Sequence, residues 1–223
     1  MATTFADLFD RAAEHAADAE AVRAALTERR SAAPSGDDAG AAPGDLSPVD
    51  HDPSPARVVA DADVLAADLL VGGPARDALD VLRSHAWTTL VASDPLLDDA
   101  EAVISAVADP ELAADWRDAA AAWREPVSQP AGDHPALASA YRGGAMQVVS
   151  LDPSLTGAQA AAGLRDRLAV SVREPRAFAA VFSPAGLYPE AVGGEYPGPD
   201  RDPRSMVSVD ADADEAPDAD QHR

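Results

Sequence analysis

The stretch RVVADADVLAADLL, residues 57–70, decides the fold. It opens with a short β-branched run bounded by Pro55, the mark of a buried strand. At Asp61 it passes into ADVLAADLL, which continues as helix until Gly72, Gly73 and Pro74 stop it. A strand that feeds directly into a helix is one half of a β–α unit, and the alternation recurs downstream. WTTLVAS (87–93), AMQVVSL (145–151) and LAVSV (168–172) read as the second, third and fourth strands. Between the second and third, Leu96, Leu97, Ala100, Val103, Ile104 and Val107 form an apolar helical stripe. PELAADWRDAAAAWREPV (110–127) follows as helix, with Trp116 and Trp123 on a packing face, and a Pro/Gly loop covers 126–132. DHPALASAYRGG (133–144), GAQAAAGLRDRL (157–168) and PRAFAAVFSPAGLY (175–188) complete the helices. Strands alternating with helices predict a parallel sheet with right-handed crossovers, hence a three-layer α/β domain over residues 57–189.

The flanks differ in composition. Residues 1–30 read as a helical segment: Thr4 and Asp7 make a capping box, with Phe5, Leu8, Phe9 and Ala12 on one face. Val22, Ala25 and Leu26 form a second apolar group, so this segment is one helix or two, docked on the domain or on a protein partner. Residues 31–56, rich in Pro, Gly, Ser and Asp, read as a flexible linker. Residues 190–223 read as a mostly disordered acidic tail, with GGEYPGPDRDP able to lie against the domain. His51 and His222 fall in these segments and read as inert, and His85 beside Trp87 reads as a surface or interface residue.

Composition narrows the chemistry. Asp and Glu number 39 against 17 basic residues, a net charge of −22, and all the basic residues are arginine. Without lysine there is no P-loop cation and no Schiff base; without cysteine there is no thiolate nucleophile or Cys-built zinc site. The acidity and the use of arginine for lysine resemble proteins of organisms with a high-salt cytoplasm, where carboxylates hold hydration and salt screens their repulsion. At ordinary salt such charge argues against nucleic acid; in molar salt it does not decide the partner. No apolar run is long enough for a membrane span or a signal peptide, and the expected setting is cytoplasmic.

In open parallel sheets, functional groups collect beyond the carboxyl ends of the strands. Asp61 and Asp63 follow the first strand; Ser93, Asp94, Asp98, Asp99 and Glu101 follow the second; Asp133 and His134 precede the helix leading to the third; Asp152 follows the third. No basic residue stands among them, and clustered carboxylates of this kind suit Mg²⁺ or Mn²⁺. Asp61, Asp94 and Asp133 also read as simple helix N-caps. There is no H-E-x-x-H, G-x-S-x-G, G-x-G-x-x-G or P-loop motif, and DADVL matches a haloacid-dehalogenase loop only superficially.

The order of blocks resembles that of PIN domains. VVADADVLAADLL is similar to their first strand and helix start, VASDPLLDDAEAVI to their second block, DHPALASAYRGGAMQVVSLDPSL to the third, and VREPRAFAAVF to the ending. The resemblance spans Arg57 to about Phe182. It implies a PIN-like fold and, in active members, a divalent-metal-dependent nuclease acting on RNA, with homodimers common.

By this resemblance Asp61 matches the first-strand acid and Asp152 the last. Asp63 stands where the family has Asn or Ser, and adds a ligand or bonds the loop. For the second acid, the helical period of about 100° per residue turns Asp98 away from the apolar stripe and leaves Asp99 at its rim, so Asp99 is the better candidate. The third acidic position falls on His134, with Asp133 before it; a histidine there ligates Mn²⁺, contacts a phosphate or marks a decayed site. The expectation is a metal-dependent endoribonuclease using Asp61, Asp99 and Asp152. Its rival is a catalytically degenerate PIN-like scaffold that binds RNA or protein.

Overall fold

The computed structural model describes residues 3–32, 51–129, 134–157 and 170–206. The sheet is built on β1 (Ser54–Ala60), whose Val58, Val59 and Ala60 are fully buried. β2 (Thr89–Ser93) pairs with β1 in parallel through Val58 and Leu90, and β3 (Glu125–Val127) extends that side. On the other side β4 (Ala145–Val149) pairs with Ala60 through Val149, and β5 (Ser171–Arg173) closes the edge. The order is β3-β2-β1-β4-β5, all parallel, and helices flank the sheet as a three-layer α/β domain requires. The three-residue β3 falls where a helix end and a Pro/Gly loop are expected. Its Pro126 is tolerated because the strand lies at an edge.

Two helices precede the sheet, α1 (Phe5–Ala12) and α2 (Ala19–Ala32). The capping box forms: the Thr4 hydroxyl accepts from the Asp7 N–H, and Asp7 accepts from the Thr4 N–H at 2.9 Å. Phe5, Leu8, Phe9, Val22 and Leu26 are buried in the same core as the strands. Burial of each such side chain contributes roughly 1.5–3 kcal/mol, so the segment is a structural part of the domain. Its apolar faces, expected to dock on the domain or on a partner, are taken up by the helices Ala62–Leu70, Asp94–Val107 and Pro110–Trp123 of this chain.

α3 (Ala62–Leu70) is buried at every position, and α4 (Gly73–Arg83) follows it. α5 (Asp94–Val107) and α6 (Pro110–Trp123) pack together, with Trp116 buried and Trp123 edge-on to Phe5 at 5.8 Å. α7 (Pro135–Arg142) leads into β4, and the short α8 (Pro153–Thr156) leaves it. The closing helix is two helices, α9 (Pro175–Val181) and α10 (Pro184–Ala191), because Ser183 caps a new start at Pro184. The helix expected at 157–168 lies almost wholly outside the described residues.

Parts of both segments expected to be flexible belong to the fold. α2 runs to Ala32 and β1 starts at Ser54, so residues 51–56 belong to the fold rather than to a linker. Gly144 explains the approach: at φ +61°, a Cβ there would meet the carbonyl oxygens of His51 and Asp52 at 2.8 and 2.9 Å. Residues 192–206 run along the domain, including the GGEYPGPDRDP stretch. The Tyr196 hydroxyl bonds His85 Nε2 at 2.6 Å, Asp200 N–H donates to Ser84 O at 3.0 Å, and Phe5 N–H donates to Met206 O at 3.2 Å. His85 is therefore buried beneath this strap, not on the surface.

Candidate functional site

Strand order reverses between β1 and β4, which opens a crevice at their carboxyl ends. Asp61 and Asp152 arrive there because each strand turns straight into a helix. Asp61 caps α3: its N–H donates to Val149 O at 2.8 Å, and its Oδ1 accepts from Ala62 N–H at 2.8 Å. Its Oδ2 accepts from the Ser150 hydroxyl at 3.0 Å. Asp152 caps α8, accepting from Ser154 N–H at 2.7 Å while its own N–H donates to Ser150 Oγ at 3.0 Å. Both acids are thus N-caps, and Ser150 ties them together.

Asp63 enters from the first turn of α3 and is 1% exposed. Its Oδ2 accepts from Leu151 N–H at 3.1 Å, while its Oδ1 is buried with no hydrogen-bond partner. Burial, reinforced by the Asp61 charge, pushes its carboxyl up to about 8.

The expectation that no cation stands among these acids fails. The guanidinium of Arg30, from the last turn of α2, lies among them. Its Nη2 donates to Asp61 Oδ1 at 2.8 Å, its Nε to Asp99 Oδ2 at 3.1 Å, and its Nη1 to His134 Nε2 at 3.2 Å. Burial holds His134 below the ordinary imidazole value against the opposing charge of Asp61, so Nε2 accepts from Arg30 and Nδ1 stays buried without a partner. Arg29 adds a second contact to Asp99, at 3.5 Å.

α5 divides its acids by face. Asp99 turns to Arg30, whereas Asp98 lies on the outer side, 3.0 Å from Arg117. Ser93, not Asp94, is the N-cap of this helix; Asp94 pairs with Arg117 and Arg124, and the Arg117 hydrogen bond lowers its pKa. Glu101 is also drawn to Arg117, at 3.6 Å. Asp133 lies outside the described residues.

A cleft of about 310 Å³ opens beside the acids, with Arg23, Thr27, Arg30 and Ser31 of α2 on one wall and Asp63 and Asp152 on the other. Among the described residues no three His, Asp or Glu side chains are grouped as a ready metal site. The donor chemistry nevertheless fits a hard cation: the carboxylates are rigidly held, and the Asp63 Oδ1 is orphaned beside them. Arg30 stands in for such a cation at Asp61 and Asp99.

Arg30 and Ser150 are the residues that sequence reasoning missed. Arg30 carried a readable signal, because it lies four residues after Leu26 and eight after Val22, on the face α2 buries. A charged side chain on a buried helical face needs a counter-charge. No known curated protein and no solved structure matches the chain. A family model matches residues 52–204, a stretch that holds Asp61, Asp63, Asp99, His134 and Asp152 and leaves α1 and α2, with Arg30, outside. Because that match covers most of the chain, the protein belongs to the family of unknown function DUF7384.

Proposed function

We propose that the chain is a PIN-like, divalent-metal-dependent nuclease acting on RNA, with Asp61, Asp63 and Asp152 holding the ion and Asp99 facing them from α5. One observation carries this reading: the buried, unpartnered Oδ1 of Asp63 in a cleft that Asp152 also lines. A buried oxygen without a partner is costly and calls for a ligand or a functional account. Bound Mg²⁺ or Mn²⁺ supplies an activated water and neutralises the leaving oxygen of a phosphodiester. The chain's own groups do the rest. Asp61 is fixed by Ala62 N–H and Ser150, and Asp152 by Ser154 N–H, so these ligands lose little freedom on binding. Arg23 and Arg30, with Thr27 and Ser31, present donors to a phosphate entering the same cleft.

The test is cleavage of single-stranded RNA by the full chain in molar salt with Mn²⁺. Wild type should cleave, and Asp152→Asn should not, at unchanged circular dichroism. Wild type inert with Mn²⁺ over a broad panel of RNAs counts against the nuclease.

A degenerate PIN-like scaffold is the second reading, favoured by Arg30 alone. With its guanidinium on Asp61 and Asp99, those two charges need no metal. That scaffold would bind RNA or protein with the same affinity in EDTA as in Mn²⁺.

A further inference from the structure

We propose that Arg30 is an in-chain competitor for the divalent cation: metal loading requires its guanidinium to leave Asp61 and Asp99. This rests on the metal-dependent reading above and adds the device that controls the site. Three nitrogens of one side chain contact three of the candidate residues, Asp61, Asp99 and His134. A guanidinium and a divalent ion repel, and Arg30 already holds the Asp61 carboxylate that the ion would need, so the two occupancies oppose each other. The acids lie within the family-matched residues 52–204, and the arginine is brought by α2, which the match does not include. The regulator is thus grafted onto the site from outside the matched region.

Release of Arg30 needs no unfolding of α2. Val22 and Leu26 anchor the helix in the core, whereas the Arg30 side chain is 25% exposed and borders the cleft of about 310 Å³. Rotation toward solvent at the mouth of that cleft moves the guanidinium off Asp61 and Asp99 while the helix stays seated. Any anion that enters the cleft rewards the move, which couples metal loading to the arrival of a phosphate.

The experiment measures Mn²⁺ affinity of the full chain by titration calorimetry at constant molar salt. Arg30→Gln should bind Mn²⁺ about tenfold tighter than wild type, within the usual range of coupling between competing ligands. Arg11→Gln, which removes a guanidinium paired with Asp115 and not among the residues lining the cleft, should match wild type. Equal or weaker binding by Arg30→Gln overturns the competitor and leaves the metal site standing if wild type binds. No Mn²⁺ binding by wild type or Arg30→Gln overturns both. Should Arg30→Gln fail to fold, the wild-type Nε–H resonance of Arg30 serves instead. Diamagnetic Mg²⁺ should shift it and speed its exchange with water in step with binding, and a signal unmoved at saturating Mg²⁺ overturns the proposal.

Discussion

Asp63 and Asp68 lie five residues apart on the same fully buried helix, and only Asp68 is given a cation of its own. Arg83, with no exposed side-chain surface, bonds Asp68 directly, and Arg76 lies 3.7 Å away. Asp63 receives the Leu151 N–H and little else. Each acid keeps one buried oxygen without a hydrogen bond, so the contrast lies in the charge: Asp68 has an arginine against it in the core, and Asp63 lies at the sheet end.

The Arg83–Asp68 pair should be structural. Arg83 also lies over Phe5 at 4.5 Å and Trp123 at 4.8 Å, which links α4 to α1 and α6. Arg83→Met leaves a buried carboxylate without its partner and should cost about 3–5 kcal/mol of unfolding free energy. Arg83→Met with Asp68→Leu should recover most of that loss, since a hydrophobic replacement of both partners is near neutral. Denaturant unfolding at one fixed salt concentration checks both. A double variant no more stable than the single one refutes the pairing argument.

Asp63 sets a pH dependence of stability. Its carboxyl is raised from 3.8 in the unfolded chain to about 8 in the fold, so between these values the folded state holds a proton that the unfolded state has lost. Stability from this group is complete below 3.8 and is lost as pH rises through about 8. Asp63→Asn should therefore stabilise the metal-free protein more at pH 8.5 than at pH 5. Unfolding curves in EDTA at the two pH values measure the difference, and an equal effect at both contradicts the assignment.

Salt should govern the fold as a whole. With 39 acidic against 17 basic residues, dilution lengthens the range of carboxylate repulsion. The local pairs Arg11–Asp115 and Arg117–Asp98, both partly exposed, add little against this. The melting midpoint should fall as salt is lowered from molar to about 0.1 M. A midpoint that rises instead excludes the high-salt adaptation.

What could be read in the sequence follows the range of the interaction. β1 and α3 were legible because Val58, Val59 and the Gly72-Gly73-Pro74 stop are local signals. The face that separates Asp99 from Asp98 was legible because one helical period fixes it. β3 was not, because three residues containing Pro126 carry no strand pattern of their own; only pairing with Val91, Ala92 and Ser93 makes them a strand. Arg30 meets Asp61 across 31 positions, and the His85–Tyr196 bond spans 111. No local pattern encodes such contacts; the packing of α2 on α5 and of the final segment on α4 creates them.

Metal dependence should appear first as stability. Asp61, Asp63 and Asp152 share the end of β1 and β4, and of the three it is Asp61 that Arg30 bonds. An ion bound by the folded chain alone must raise its stability, by about 2.7 kcal/mol at a hundredfold excess over the dissociation constant. For a chain of 223 residues that corresponds to a rise of roughly 5–10 °C in melting temperature. Asp152→Asn removes a charged oxygen but keeps an N-cap acceptor for Ser154, so the helix start survives while the Mn²⁺ shift should shrink. Asp98→Asn is the control: its carboxylate faces Arg117 on the outer side of α5, and its melting temperature should respond to Mn²⁺ as wild type does. Melting temperatures that ignore Mn²⁺ in wild type leave the scaffold reading as the account of this cleft, with Arg30 as its permanent cation.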